Sequence, residues 1–248
     1  MRELKLTVLG FYGGYPANGV GTSSYILSSG EFHLLLDCGS GALLKLETHM
    51  DPLALDAVLL SHYHHDHTAD LGVLQYYWQL HEARPNVAVL PIYGPTSDPL
   101  NFGSLTWPHA SEGHGYSDTQ PVNIGPFAVT FMLTHHPVPA YAMRITEKSS
   151  GKVLVFTADT AYFEGLVDFA KGADTLLTDT NFFNDKTGTK WHMTSGESGH
   201  LAMATGATQL ILTHLPQTGD LNQLVAEAQA AAPACRVERA FADQVFDI

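Results

Sequence analysis

The chain has 248 residues, 45% of them hydrophobic and 10% aromatic, which is enough to bury a large core as one domain or two fused halves and argues against disorder. Its formal net charge of -13, with 12 Lys and Arg against 25 Asp and Glu, disfavours attraction to an extended polyanion such as duplex DNA or folded RNA. No apolar run approaches the ~20 residues that span a bilayer, and Met1-Arg2-Glu3-Leu4-Lys5 runs into a strand-like segment in place of a signal peptide, so a cytoplasmic protein without membrane association is expected. The two cysteines, Cys38 and Cys235, lie far apart without C-x-x-C spacing, which speaks against a disulfide framework or a thiolate zinc site.

In chain order, Leu4 to Gly10, Ser24 to Ser29 and Phe32 to Asp37 read as strands separated by glycine turns. A helix is expected over Gly41 to Met50, a buried strand over Leu55 to Leu60, and a second helix over Leu71 to Ala83, stopped by Pro85. Gly94 to Pro126 is rich in Gly, Pro and aromatics and weakly periodic. It reads as a surface excursion that either covers an active site with Phe102, Trp107, His109, His114 and Tyr116 or packs as an ordinary loop. Strands resume at Phe127 to Leu133, Ala140 to Thr146, Val153 to Thr157 and Thr175 to Thr178, with a helix at Tyr162 to Lys171. Thr194-Ser195-Gly196-Glu197 matches a capping box opening a helix to about Thr205, followed by a strand at Gln209 to Thr213, a helix near Leu221 to Ala232 and a strand near Val237 to Phe241.

Chemistry-bearing residues gather where apolar strands end. After the Leu55 to Leu60 strand, His62, His64, Asp66 and His67 form an H-x-H-x-D-H array that reads as half of a two-metal site, with Asp66 and His67 in the turn that follows. Imidazole and carboxylate suit zinc, with iron or manganese as substitutes. Three further apolar runs end at His135-His136, Asp159 and His214. One buried His or Asp at a strand end is most often a hydrogen-bonded structural residue. Four such ends are harder to dismiss, because ionisable groups gathered at a sheet edge repel or desolvate one another unless a cation compensates.

With these motifs the chain resembles the metallo-β-lactamase superfamily over nearly its whole length, and within it the branch of ribonuclease Z and related phosphodiesterases. The resemblance implies a single α/β domain over residues 1–248, a four-layer αββα sandwich of two mixed sheets flanked by helices, built as two similar halves. It implies two metals, the first held by His62, His64 and His136, the second by Asp66, His67 and His214, with Asp159 bridging them. His136 is preferred to His135 because its distance to Arg144 matches the branch. Asp37 resembles the family's early Asp and would orient ligands, unless it only forms the turn before Gly39. Asp179 also follows an apolar strand and competes for the bridging role, with Asp159 preferred and Asp179 then supporting the ligands from behind as Asp37 does; the family has a glutamate near it. The segment Trp191-His192-Met193-Thr194-Ser195-Gly196-Glu197 resembles a motif of the branch in which His192 would protonate the leaving oxygen or stabilise the phosphoryl charge and Glu197 would position it.

The reaction so implied is phosphodiester hydrolysis by a water activated between the metals, with Asp66 accepting its hydrogen bond. Two departures argue against tRNA 3′-processing. Only 22 residues separate His136 from Asp159, leaving no room for a tRNA-gripping arm, and the loop Gly13 to Thr22 carries no Lys or Arg. The expected substrate is therefore a small phosphodiester, a cyclic nucleotide or short oligonucleotide. The competing readings are a hydrolase of a carboxylic ester, lactone or thioester using the same dinuclear water, and a metal-bearing interaction protein without turnover. The resemblance also implies a homodimer.

Overall fold

A computed structural model describes residues 4–248. Met1, Arg2 and Glu3, read from sequence as running into the first strand without a leader, lie outside the described residues. Among those described, no helix is long and apolar enough to cross a membrane.

Two mixed sheets stack face to face. The first contains β1 (Leu4–Tyr12), β2 (Gly21–Thr22), β3 (Ser24–Ser29), β4 (Phe32–Leu36), β5 (Ala57–Leu59), β6 (Leu90–Pro95), β7 (Ser111–Tyr116) and the last strand, β15 (Val245–Asp247). Its order is β15-β1-β3-β4-β5-β6-β7 with β2 paired to β1, and β4 through β7 run parallel. The second sheet, in the order β14-β13-β12-β11-β10-β9-β8, contains β8 (Val122–Ile124), β9 (Phe127–Leu133), β10 (Tyr141–Glu147), β11 (Val153–Phe156), β12 (Thr175–Asp179), β13 (Gln209–Thr213) and β14 (Arg236–Arg239). Here β11 through β14 run parallel.

Alternation along the strands shows why both faces of the first sheet are covered. Leu34 and Leu36 of β4, Tyr25 and Leu27 of β3, and Ala57 and Leu59 of β5 point into the core shared with the second sheet. Their neighbours Leu35, Ile26 and Val58 point the other way, onto Leu43 and Leu46 of α1 (Ala42–Leu46) and Leu71, Leu74 and Trp78 of α3 (Leu71–Leu80). A one-turn helix, α2 (His65–Thr68), precedes α3, and α4 (Pro99–Gly103) follows β6. On the far side, α5 (Gly165–Ala170), α6 (Ser195–Thr205) and α7 (Leu221–Ala231) bury Leu166, Leu201 and Leu224 against the second sheet. The layers are helix, sheet, sheet, helix, as the resemblance implied.

The segment 94–126 departs from its reading as an excursion. It carries α4, β7 and β8, and it takes the chain from the edge of one sheet to the edge of the other. Its glycines serve close approach in the strands: a Cβ on Gly115 would lie 2.4 Å from Thr96 Cγ2, and one on Gly94 2.5 Å from the Tyr63 hydroxyl. The aromatics expected over a substrate are committed elsewhere. Trp107 donates to Gln79 Oε1 (2.9 Å) and packs edge-on against Tyr76 of α3, while Tyr116 stacks on Phe131 between the sheets. Smaller differences follow from weak periodicity: β2, β6 and β15 were not anticipated, and α5 begins at Gly165, three residues later than expected, because Asp159 to Glu164 form a loop.

At the end of the sandwich opposite the ligand-bearing strand ends, Glu147 ties the β10–β11 turn to β3. Its carboxylate accepts from Ser150 N (2.7 Å), Ser149 N (3.1 Å) and Ser29 Oγ (3.3 Å), as well as from both turn serine hydroxyls. Burial would raise the carboxyl, but the Ser150 and Ser149 donors outweigh it and bring it down to about 2. A depressed folded-state value contributes stability above the ordinary 4.5 that is lost as pH falls towards 2. Glu147→Gln is expected to lower unfolding free energy at pH 7 by roughly 1–3 kcal/mol, with the gap from wild type closing across that acid window in urea titrations. A gap constant with pH would assign the effect to packing alone.

Candidate metal centre

Parallel strands place their carboxyl ends on one side, and the ligand-type residues sit in the loops just beyond them. His62 and His64 leave β5, and α2 turns the chain sharply enough to bring Asp66 and His67 back beside them. His136 follows β9, Asp159 follows β11, Asp179 ends β12 and His214 follows β13. Both sheets contribute, so the site straddles their shared edge.

Two sets of donor atoms emerge, each lying within 4.8 Å of one another: His62, His64, His136 and Asp159, and Asp66, His67, Asp159 and His214. These match the sets implied by the resemblance. Asp159 belongs to both, with Oδ1 3.3 Å from His67 Nε2 and Oδ2 3.4 Å from His214 Nε2, 3.6 Å from His62 Nε2 and 3.7 Å from His136 Nε2. His135 stands apart, its ring stacked on Phe163.

For His62, His67 and His136 the far side of the ring explains which nitrogen faces inward. His67 Nδ1 donates to Asp37 Oδ2 (2.7 Å), and that carboxylate is itself fixed by Ser61 N (2.7 Å), Ser61 Oγ (3.0 Å) and Ser23 Oγ (3.1 Å). Because the Ser61 hydroxyl donates to Asp37, it accepts from His62 Nδ1 (3.0 Å). His136 Nδ1 donates to the Trp191 carbonyl (3.3 Å). Asp37 is thus more than a turn residue.

A metal fits what these anchors leave over. His62 Nε2 and His67 Nε2 are buried without a hydrogen-bond partner, a costly arrangement for protein alone. His136 Nε2 and His64 Nδ1 face each other at 3.1 Å. Burial drives His62, His64 and His136 below the ordinary histidine value, towards the neutral form that can ligate. Asp66 and Asp159 lie well below the carboxylate range because the facing histidines, His214 and His67, outweigh burial. Against burial, Asp159 and then Asp37 push His67 well up, and Asp159 and then Asp179 push His214 to about 10, which is where a cation would relieve the charge.

A third group, Asp159, Asp179, His192 and His214, adjoins the second set. His192 Nδ1 donates to Asp179 Oδ2 (2.7 Å), and its ring stacks on His214 at 4.9 Å between centroids and lies 5.4 Å from His136. Burial lowers the His192 value, but Asp179 outweighs it and the net shift is upward. The expected partner for His192 was Glu197. The structure corrects that: Glu197 completes the α6 capping box, accepting from Thr194 N (2.8 Å), and is ion-paired with Lys190. The residue that holds His192 is Asp179, expected from sequence as a supporting residue or a rival bridge but not as the partner of His192. Missed altogether was Gly14, whose backbone N–H donates to Asp66 Oδ2 (2.7 Å) from the glycine loop, with Gln217 Nε2 clamping that loop at the Tyr15 carbonyl (2.8 Å).

Residues 33–215 match the family model described as the beta-lactamase superfamily domain. The chain belongs to the β-lactamase superfamily. The superfamily domain here carries a His/Asp cluster suited to a metal ion. Among its relatives, the chain is 45% identical to the probable metallo-hydrolase YhfI of Bacillus subtilis over 91% of its own length and 93% of that protein. The crystal structure of YhfI superposes with a TM-score of 0.94 over all of both chains, at 42% identity. Ribonuclease Z of Thermoplasma volcanium is 22% identical, with 92% of each chain covered. The short form of human tRNase Z shares the fold at 19% identity and a TM-score of 0.74, with 98% of each chain covered.

Gly13 lies against the second set: a Cβ there would be 2.5 Å from His214 Cε1 and 2.6 Å from Nδ1. Gly13→Ala must therefore move that ring. Titration calorimetry with Zn2+ is expected to show affinity reduced by about tenfold or more while the circular dichroism spectrum stays unchanged; wild-type affinity would mean the ring does not ligate.

Proposed function

We propose that the protein is a dinuclear metallo-hydrolase that cleaves small phosphodiesters, such as a cyclic nucleotide or a short oligonucleotide, with zinc as the metal and manganese or iron as substitutes. The observation that carries this reading is the Asp179–His192 pair beside the two donor sets. Hydrolysis of an ester or lactone at a dinuclear centre has little need of a fixed acid, whereas an alkoxide leaving a phosphodiester does.

The first ion would be held by His62, His64 and His136, the second by Asp66, His67 and His214, and Asp159 reaches both. When bound, the pair supplies Lewis acidity and a water nucleophile at neutral pH. The chain's own residues do the rest. Asp66 Oδ2, fixed by the Gly14 N–H (2.7 Å), is placed to accept a hydrogen bond from the attacking water. Asp179 accepts a hydrogen bond from the Nδ1–H of His192, which fixes the tautomer and leaves Nε2 as the nitrogen that hands its proton to the leaving oxygen. Asp179 also raises the affinity of His192 for a proton, so the acid form persists towards neutral pH.

Substrate size follows from what surrounds the site. Residues 137–158, between His136 and Asp159, are taken up by β10, β11 and short turns without an inserted arm, which supports a small substrate. The net charge of -13 opposes a long polyanion as well. The names ribonuclease Z and tRNase Z borne by two similar proteins favour phosphodiester chemistry.

A metal-loaded panel of bis(p-nitrophenyl) phosphate, cyclic nucleotides, short RNA, a lactone and a thioester tests this. Turnover of the phosphodiesters is expected, and turnover of only the lactone and thioester would overturn it. For the acid, His192→Ala should retain metal and lose on the order of 10²–10⁴ in kcat. Unchanged kcat with bis(p-nitrophenyl) phosphate would not discriminate, since nitrophenolate leaves unaided, so a substrate with an alkyl leaving group is the deciding arm.

A further inference from the structure

We propose that Tyr25 is a positioning residue for the second metal position, acting from the core between the two sheets. This rests on the dinuclear reading above. The two donor sets are assembled from strands of different sheets: His67 comes from the end of β5 and α2, and His214 from the end of β13. Apolar packing between sheets tolerates sliding of a few tenths of an ångström, because dispersion contacts are numerous and non-directional. Ligand geometry does not tolerate it. Something directional should therefore fix the sheets to each other beneath the site.

Tyr25 is that link. Its ring lies on the inner face of β3, fully buried and edge-on to Phe156 of β11 at 5.7 Å. Its hydroxyl meets Thr213 Oγ1 at 2.6 Å, a short hydrogen bond from the first sheet to the last residue of β13. The next residue is His214, held in a left-handed conformation with φ 53. In the other direction the hydroxyl touches Ser23 Oγ at 3.5 Å, the limit of a hydrogen bond, and Ser23 Oγ donates to Asp37 Oδ2, the carboxylate that orients His67. One phenol thus joins the anchor of His67 to the residue that aims His214, whose rings stack at 5.3 Å. Placing a hydroxyl in a core where phenylalanine would pack equally well has a desolvation cost, which points to a directional role.

Tyr25→Phe removes the link and keeps the ring. Titration of metal-free protein with Zn2+ should show the wild type taking two equivalents, and Tyr25→Phe taking the first with unchanged affinity and the second about 10- to 100-fold more weakly. The d–d spectrum of the Co2+ form should change only for the second equivalent. Thr213→Val removes the partner hydroxyl and should reproduce the loss, whereas Thr213→Ser keeps it and should restore binding; this pair decides the matter if Tyr25→Phe folds poorly. A wild type that binds fewer than two equivalents would sink the dinuclear reading and this role with it. A wild type that binds two, with Tyr25→Phe and Thr213→Val binding both equally well, would overturn the role of Tyr25 alone.

Discussion

The structure depends on one electrostatic constraint: the two donor sets draw five imidazoles and two carboxylates together, and the ion pairs found among them join histidine to aspartate. Asp159 alone faces four histidines. Without compensation, such a cluster asks its members to titrate in opposite directions, and they do, with His62, His64 and His136 driven towards neutrality and His67 and His214 towards charge. A divalent cation held by such a set would reconcile them, because every group could then take its ligating form. The rest of the fold can be read as the apparatus that keeps the cluster assembled.

That apparatus has two parts. The sheets supply stiffness, since the first is buried on both faces and its strands alternate between two cores. Hydrogen bonds then supply direction. Asp37 gathers Ser23, Ser61 and His67 into one network, Ser61 accepts from His62, and the Trp191 carbonyl holds His136, so that these three rings are pinned from behind. Such anchors matter because an imidazole pinned only by a metal would turn about its own side-chain bonds.

Much of this was legible in the sequence because the site is built at the ends of apolar runs. Apolar strands precede His62, His136, Asp159 and His214, and each ligand-type residue follows within three residues of its strand's end. What stayed hidden is of two kinds. Glycines in strands imitate loops: Ser111 to Tyr116, with Gly113 and Gly115, has the composition of a turn, yet Leu105, Thr96 and Phe102 crowd its face so closely that side chains would not fit. Pairing across distance is also invisible. Glu197 looked like the partner of His192 because it is five residues away, whereas Asp179, which holds it, is thirteen residues back on another strand. Glu197 was already satisfied by the helix cap, as its own capping-box signature announced.

The backbone at the strand ends carries the final step. Asp37, Ala158 and His214 all adopt left-handed conformations, with φ of 54, 51 and 53, each immediately after or within two residues of a parallel strand. None is glycine, so each costs of order 1–3 kcal/mol and persists only where its surroundings over-determine it. Glycine would relieve the strain, but at Asp37 and His214 it would delete the side chain that does the work. At Ala158 the residue is fully buried, its carbonyl accepts from the Thr157 hydroxyl (2.9 Å), and its turn carries Asp159 to the point that both donor sets share. The sharp reversal lets a chain leaving a flat, hydrogen-bonded strand present the next side chain across the sheet edge instead of along it. Strain at these three residues is therefore the conformational counterpart of the charge crowding at the site, and a bound cation relieves the second without requiring the first to change.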